Sequence, residues 1–324
     1  MSFADYPREM MLRFIEQDIL SSYEFEHYQG ASEEEAIEHI KNATIVCHGP
    51  SKPYISRKIL EAAKQLKLVQ FVSAGYAQVD LEAATELKIP VANNPGFNAT
   101  PVSEYTIMAI LILMRRPFMG HHQNTQGKWI QQEYMGIRNK LCELTGKTVG
   151  ILGLGAIGTE VAKKISAFDC RILYNKRNRL PDSQEQALGV EYGSFDRLLE
   201  ESDVLTVHVP LSDETRNMIG KDEFMRMKDG AFLINTARSD IVDEAALADA
   251  LSSGKLLGAA IDVPRSPEAV PLFHQRFGEM ENVLITPHIA SGSRETHIRI
   301  KIQPAENYRR ILQDEKPLYC VNNV

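Results

Sequence analysis

Residues 148–158 of this chain read TVGILGLGAIG, an apolar run that opens directly into a glycine-rich loop. In a G-x-G-x-x-G loop the first glycine allows a tight turn, the second lets a pyrophosphate approach the backbone, and the third allows close packing of helix on strand. The phosphates lie on the free backbone N–H groups at the start of the following helix. The stretch therefore predicts a dinucleotide site, and its predicted loop contacts are Gly153, Gly155, Ala156, Ile157 and Gly158.

The residues on both sides of the loop support this interpretation. A strand pattern precedes the loop, apolar residues follow at helical spacing from residue 157 to 168, and a second strand pattern covers residues 170–174. This order, completed within about 30 residues, is that of a βαβ unit. A glycine-rich turn without such surroundings would only cap a helix, so the surroundings favour the dinucleotide site over that alternative.

The second strand of the unit ends in a basic loop. At the place where an acidic residue would bond to the ribose hydroxyls of NAD(H), the chain has Asn175, Lys176 and Arg177. A carboxylate there would repel a 2′-phosphate, whereas a lysine and an arginine would pair with it. The loop therefore favours NADP(H) over NAD(H) as cofactor, and the alternative is an ordinary solvated loop.

Composition and charge restrict the possible partners. The chain has 324 residues, of which 44% are hydrophobic, enough for two cores. The net charge of −7, with no lysine-rich stripe, argues against nucleic acid and against an anionic membrane surface. The four cysteines are scattered, and no metal site is indicated. Since neither a leader pattern nor a run long enough to span a bilayer is visible, we expect a cytoplasmic protein.

Strand and helix patterns alternate on both sides of the glycine loop. This alternation predicts an α/β fold with two doubly wound parallel-sheet domains. We expect a dinucleotide-binding domain at residues 99–295. The first domain then consists of residues 1–98, to which the final helix and the tail, residues 296–324, return.

Two polar residues follow apolar strands in the second half, where open parallel sheets place their ligands. Arg238 follows residues 233–237, and its planar guanidinium suits a substrate carboxylate, although it could also pair with a core acid. His288 follows residues 283–287, and its alternative role is that of a hydrogen-bonded structural residue. Glu268 is the nearest preceding acid that could hold His288 and raise its pKa.

The motifs of this chain, taken together, resemble those of a known family, the D-isomer-specific 2-hydroxyacid dehydrogenases. The resemblance covers nearly the whole chain and is far more specific than any one motif. Its motifs, in family order, are SAGY at 73–76, NPGFN at 94–98, VSE at 102–104, GLGAIG at 153–158, HVPL at 208–211, NTAR at 235–238 and TPH at 286–288.

The resemblance implies a Rossmann-type cofactor domain inserted into a flavodoxin-like substrate domain. It implies that Arg238 orients a 2-oxoacid, that His288 is the general acid/base, and that Glu268 pairs with His288. Asp262 is expected beside the nicotinamide. The implied substrate-carboxylate loop comprises Ser73, Ala74, Gly75 and Tyr76. The other implied cofactor contacts are Val102, His208, Pro210, Thr215, Thr236, Ala237, Asp262, His288 and Ala290.

Two departures from the family pattern affect the expected site and the expected first sheet. The family glutamate usually stands five positions after the aspartate that corresponds to Asp262, and this chain has Pro267 there and Glu268 one residue later. Either a one-residue insertion restores Glu268 to the site, or the glutamate is absent and His288 has a weaker partner. The N-terminus starts almost at a helix, so we expect the first sheet to lack its usual first strand.

These observations together predict an NADP(H)-dependent enzyme that reduces small 2-oxoacids to D-2-hydroxyacids by hydride transfer. The expected substrates are glyoxylate, hydroxypyruvate or sugar-derived 2-ketoacids. The resemblance also implies a homodimer, formed through the long apolar helix of the cofactor domain and the loop around Trp129. Two alternatives remain, an NAD-linked oxidation of D-2-hydroxyacids and a nucleotide-sensing binding protein similar to the family's transcriptional corepressors.

Overall fold

A computed structural model describes residues 2–3, 21–24, 26, 32–49, 54–137, 140–262, 270–278 and 280–324. The chain forms two compact units, one of Met1–Asn98 with Gly292–Val324 and one of Ala99–Ser291. The second crossing between the units therefore lies between Ser291 and Gly292, four residues before the position expected from the sequence.

The first unit is built on a parallel sheet with the strand order β1-β2-β3-β4. Its strands are β1 (Ser2–Phe3), β2 (Ile45–His48), β3 (Leu68–Phe71) and β4 (Val91–Ala92), and its described helices of six residues or more are α1 (Glu33–Ile40), α2 (Arg57–Ala62), α3 (Leu81–Glu86) and α13 (Arg294–Leu312). All residues of β2 and β3 are buried, as expected for parallel strands covered on both faces.

The N-terminal strand corrects one expectation. Ser2 lies opposite Cys47 and Phe3 opposite His48, so the first sheet does have its first strand. Two residues are too few to show a strand period in the sequence, which is why the pattern gave no sign of β1. A flavodoxin-like sheet, with the order 2-1-3-4-5, has one more strand between β1 and β2 in sequence, and most of residues 4–31 lie outside the described part of the chain.

The C-terminal helix and tail belong to this first unit. The Asn307 side-chain amide in α13 donates to Gln70 Oε1 in β3 over 2.6 Å, which satisfies a buried polar group in the sheet. The tail continues along β4, where Asn322 Oδ1 accepts from the Val91 N–H over 2.8 Å. These long-range hydrogen bonds fix the returning chain on the first sheet.

The second unit contains a seven-stranded parallel sheet with the order β11-β10-β9-β8-β5-β6-β7. Its strands are β5 (Thr148–Leu152), β6 (Arg171–Asn175), β7 (Glu191–Tyr192), β8 (Val204–Val207), β9 (Ala231–Asn235), β10 (Leu256–Ile261) and β11 (Val283–Ile285). The chain winds outward from β5 in one direction and from β8 in the other. This is the Rossmann order, and the gap between β5 and β8 is its topological switch point.

Helices cover both faces of this sheet. The described helices of this unit with six residues or more are α4 (Ala99–Arg115), α5 (Pro117–Thr125), α6 (Gln131–Gly136), α7 (Ala156–Ile165), α8 (Asp182–Leu188), α9 (Phe195–Glu201), α10 (Lys221–Arg226), α11 (Glu244–Ser252) and α12 (Val270–Phe277), of which α5 and α6 bury no residue. Successive strand residues point to opposite faces. Accordingly Ile151 packs in the core with α4 and α7, and Leu152 packs in the opposite core with α9, α10 and α11. The described residues contain neither a helix able to cross a membrane nor a cluster able to hold a metal ion.

Candidate active site

The glycine loop lies at the carboxyl end of β5, directly at the switch point. Gly153 has φ +98°, and a Cβ there would lie 2.8 Å from the backbone of His208 and Val209. A Cβ on Gly158 would lie 2.3 Å from the carbonyl oxygen of Gly153. Gly155 has nothing within 4 Å of that position. Packing therefore requires the first and third glycines, and the second leaves the backbone open to an approaching group.

The surroundings of this loop fit a dinucleotide. Helix α7 begins at Ala156, and its N-cap Gly155 has no side chain to satisfy the first N–H groups, which a phosphate can therefore accept. Both ring nitrogens of His208, beside Gly153, are buried and have no hydrogen-bond partner among the described residues. Burial lowers the pKa of His208 to about 4, so its imidazole is neutral at pH 7. Such an unpaired polar group is suited to a polar ligand.

The loop after β8 forms an ordered turn next to the glycine loop. The Thr215 hydroxyl donates to the Pro210 carbonyl over 2.7 Å and accepts from the Ser212 N–H over 2.8 Å. The predicted contacts His208, Pro210 and Thr215 are thus on one short segment. Its backbone contacts Gly153 at His208 and Val209.

The basic loop after β6 contains cations with different roles. The Arg179 guanidinium binds Glu185 in a bidentate pair at 2.9 and 2.7 Å, and the Tyr174 hydroxyl donates to the same carboxylate. These hydrogen bonds lower the pKa of Glu185 to about 2. Arg179 is therefore part of a structural cluster.

The residues predicted to select the cofactor precede this cluster. The Asn175 amide donates to the Gly193 carbonyl over 2.9 Å, and the Asn175 carbonyl accepts from the Gly153 N–H over 2.9 Å. Arg177 Nη2 pairs with Glu214 Oε2 at 2.7 Å. Lys176 has no carboxylate within 4 Å in the described part of the chain, so its ammonium group is available to a ligand phosphate.

Arg238 follows β9 and is exposed. The Asn235 side chain holds the turn, because its Oδ1 accepts from the Ala237 N–H over 3.0 Å and its Nδ2 donates to the Arg238 carbonyl over 2.8 Å. Thr236, by contrast, is buried, and its hydroxyl lies 3.4 Å from that of Thr106. The backbone of Arg238 is thus fixed at the carboxyl edge of the sheet, and its guanidinium donates from Nη1 to the Ala237 carbonyl over 2.6 Å.

A buried carboxylate connects β10 with the segment after β11. Asp262 is 1% exposed, and it accepts hydrogen bonds from the Thr286 hydroxyl over 2.7 Å and from the Ile289 and Ala290 N–H groups over 2.8 Å each. The Tyr105 hydroxyl in α4 also bonds to Thr286. The sequence indicated Asp262 only through the family resemblance, as a residue beside the nicotinamide. No sequence pattern indicated the three hydrogen bonds that the Asp262 carboxylate accepts.

His288 lies within the segment that Asp262 holds. Its φ is +58°, a left-handed conformation that costs a non-glycine residue about 1–2 kcal/mol. The bonds from Ile289 and Ala290 to Asp262 fix the chain immediately after it, which stabilises this conformation. The strained backbone therefore positions the imidazole at the end of the strand.

The described surroundings lower the pKa of His288 below its ordinary value. Desolvation is the largest cause and the positive charge of Arg238 the next, while the Asp262 carboxylate acts in the opposite direction. This direction differs from the raised pKa expected from pairing with Glu268. Residues 263–269, and with them Glu268, lie outside the described part of the chain.

The predicted substrate loop belongs to the first unit and is largely exposed. The Ser73 hydroxyl donates to the Gly75 carbonyl over 2.8 Å, and the Asn93 amide donates to the Ala74 carbonyl over 2.7 Å. These bonds use the loop's carbonyl groups. Among the described residues no acceptor contacts the N–H groups of Ala74, Gly75 and Tyr76, so they are available to an anion.

Comparison with known proteins identifies the family. The model of the "D-isomer specific 2-hydroxyacid dehydrogenase, NAD binding domain" matches residues 107–290, more than half of the chain. The chain belongs to the D-isomer specific 2-hydroxyacid dehydrogenase family. It is therefore an oxidoreductase with an NAD(P)-binding Rossmann domain, as the sequence predicted.

Individual members of the family are similar over most of this chain. A D-3-phosphoglycerate dehydrogenase of Archaeoglobus fulgidus is 39% identical over 88% of the chain, which spans only 52% of that relative's length. A glyoxylate reductase of Aeropyrum pernix is 39% identical over 82% of this chain and 78% of its own. The solved structure of a glyoxylate reductase from Paecilomyes thermophila is 27% identical, with a TM-score of 0.85 over 99% of this chain and 97% of the other.

The bonds of Asp262 lead to a first prediction. Asp262→Asn places an amide against the Thr286, Ile289 and Ala290 donors, and it removes the charge that raises the pKa of His288. We expect the free energy of unfolding to fall by about 1–3 kcal/mol because a buried donor loses its acceptor. We also expect the pKa of His288 to fall further, measured by NMR titration of the imidazole.

Asp203→Asn is the matched control. Asp203 also accepts from a backbone N–H, that of Thr148, but it lies at the opposite edge of the sheet. It should reduce stability without moving the titration of His288. An unchanged or raised His288 pKa in Asp262→Asn would contradict the prediction.

Proposed function

We propose that this chain is an NADP(H)-dependent reductase of small 2-oxoacids, with glyoxylate, hydroxypyruvate or a sugar-derived 2-ketoacid as substrate and a D-2-hydroxyacid as product. The observation that carries the proposal is the position of Arg238 within electrostatic range of His288, both at the carboxyl edge of the Rossmann sheet. A guanidinium for a carboxylate and an imidazole for a carbonyl oxygen match the two functional groups of a 2-oxoacid. Several similar proteins carry the name glyoxylate reductase, which agrees with this substrate class.

The residues of this chain divide the chemistry between them. When bound, the reduced nicotinamide supplies the hydride that adds to the carbonyl carbon. The imidazolium of His288 donates its proton to the carbonyl oxygen as negative charge develops there. Arg238 pairs with the carboxylate and orients the carbonyl group. We propose that the backbone N–H groups of Ala74, Gly75 and Tyr76, in the first unit, also bind the carboxylate of the substrate.

The proposed cofactor contacts follow the carboxyl ends of the strands. The glycine loop and α7 would take the pyrophosphate, and Lys176 and Arg177 would take the 2′-phosphate. The remaining proposed contacts are Val102, Asn175, His208, Pro210, Thr215, Thr236, Ala237, Asp262, His288 and Ala290. Glu268 remains a proposed partner of His288 that would raise the pKa of the imidazole.

The first test removes the two proposed catalytic groups separately. NADPH oxidation should be measured with glyoxylate, hydroxypyruvate and a panel of sugar 2-ketoacids. We expect His288→Ala to lower kcat/KM by about 10²- to 10⁴-fold, because the general acid is lost. Arg238→Ala should cause a loss of about 10²-fold or more, because the substrate is no longer oriented.

Matched controls are available on the same unit. His274→Ala removes an exposed histidine from α12, and Arg226→Ala removes an exposed, ion-paired arginine from α10. Both should retain activity. Turnover that persists in His288→Ala, or an absence of turnover in the native protein across the whole panel, would contradict the proposed reaction.

The cofactor preference has its own test. Lys176→Asp replaces a cation that has no carboxylate partner among the described residues with an anion that would repel a 2′-phosphate and accept bonds from a ribose diol. We expect kcat/KM to fall with NADPH and to be maintained or to rise with NADH. Lys221→Asp, at the start of α10, is the charge-matched control. Equal use of both cofactors by the native protein would contradict the preference.

We also propose a cytoplasmic homodimer that forms through the long helix α4 and the α5–α6 region, which contains the loop around Trp129. Phe118, Trp129 and Met135 are 57%, 77% and 52% exposed, so Trp129 has no core role in this unit. Large exposed apolar side chains concentrated in one region are typical of an interaction surface. A second copy of the chain is the proposed partner.

Light scattering tests this assembly. Trp129→Asp should shift the molar mass at micromolar concentration from that of a dimer to that of a monomer, because it places a charge in an apolar interface. Met225→Asp is the control, since Met225 is 64% exposed but lies on α10. A native monomer, or a dimer that is unaffected by Trp129→Asp, would contradict the proposal.

A further inference from the structure

One ion pair connects two loops on either side of the glycine loop. Arg177, two residues after β6, donates from Nη2 to Oε2 of Glu214 over 2.7 Å. Glu214 lies in the loop after β8. In the sheet, β6 and β8 are the two neighbours of β5, so the pair links the loops that flank residues 153–158.

Glu214 is held in place by the turn that contains it. The Thr215 hydroxyl closes this turn through its bonds to Pro210 and Ser212. Just beyond the turn, the Asn217 N–H donates to the Asp240 carbonyl over 2.7 Å. This ordered segment therefore places the Glu214 carboxylate beside the loop after β6, which has no acidic residue at positions 175–177.

We propose that Glu214 is a specificity-determining residue that weakens the binding of NADP(H) by holding Arg177. The inference rests on the proposed function, which assigns Arg177 to the 2′-phosphate. Since Arg177 pairs with Glu214 through Nη2 alone, a 2′-phosphate must either take the guanidinium from Glu214 or share it, and in both cases it lies near that carboxylate's negative charge. NAD(H) has a hydroxyl at this position and does not need Arg177. Glu214 therefore moves the balance of the two cofactors towards NAD(H), against the effect of Lys176.

The size of this effect is limited by solvent. The Arg177 and Glu214 side chains are 81% and 75% exposed. An exposed ion pair is weak and is screened by salt, so the exchange of partners on Arg177 is inexpensive. Glu214 adjusts the preference without deciding it alone.

Glu214→Gln tests the inference directly. Dissociation constants for NADP⁺ and NAD⁺ should be measured by calorimetry at low ionic strength, where exposed charges are least screened. We expect NADP⁺ to bind about two- to fivefold more tightly, and NAD⁺ to change by less than about twofold. Glu200→Gln is the matched control, because Glu200 forms an exposed pair with Arg226 at the opposite edge of the sheet.

A double variant shows whether Glu214 acts through Arg177. Glu214→Gln should also be measured in an Arg177→Met background. There we expect its gain in NADP⁺ affinity to be at most about half of the gain that it gives in the native background. Equal changes for both cofactors, no change in the NADP⁺/NAD⁺ ratio, or a full gain without Arg177 would each overturn the inference. The proposed preference for NADP(H) is tested separately. It fails if the native protein does not bind NADP⁺ more tightly than NAD⁺, whatever the effect of Glu214→Gln.

Discussion

The buried carboxylate of Asp262 is the interaction on which the geometry of the candidate site depends. It accepts one hydroxyl and two backbone N–H groups, all from the segment after β11, so that segment is fixed to the end of β10. Hydrogen bonds to a charged acceptor are stronger than neutral ones. They stabilise the left-handed backbone of His288, which an isolated turn would avoid. The position of the imidazole is therefore a consequence of a carboxylate 26 residues earlier in the chain.

A second constraint is the close approach of backbones at the switch point. Gly153 touches the chain at His208 and Val209, and Gly158 touches Gly153, so two segments distant in sequence meet without side chains between them. This contact joins the loops after β5 and β8 at the carboxyl edge, where the loop after β6 also lies because β6 is the other neighbour of β5. The sheet order alone would allow this arrangement. The glycines make it close enough for the loops to interact directly.

Features encoded locally were predictable from the sequence, and those made by distant pairs were not. The glycine loop, Arg238 and His288 each follow an apolar strand, and a parallel sheet brings such strand ends to the same edge. The pairing of Arg177 with Glu214 spans 37 residues, and the bonds of Asp262 span 24 to 28 residues. No periodicity or spacing reports such partners. Strand β1 was missed for a different reason, because it has only two residues.

The direction of the His288 pKa shift indicates how the two proposed catalytic groups affect one another. Arg238 must be cationic to bind a carboxylate, yet its charge makes the imidazolium less favourable. A substrate carboxylate on Arg238 would neutralise that charge and so remove one of the causes that lower the pKa. The imidazole would then hold its proton more firmly in the substrate complex than in the free protein. Because reduction of a carbonyl needs that proton, the residue that we propose to orient the substrate would also prepare the acid.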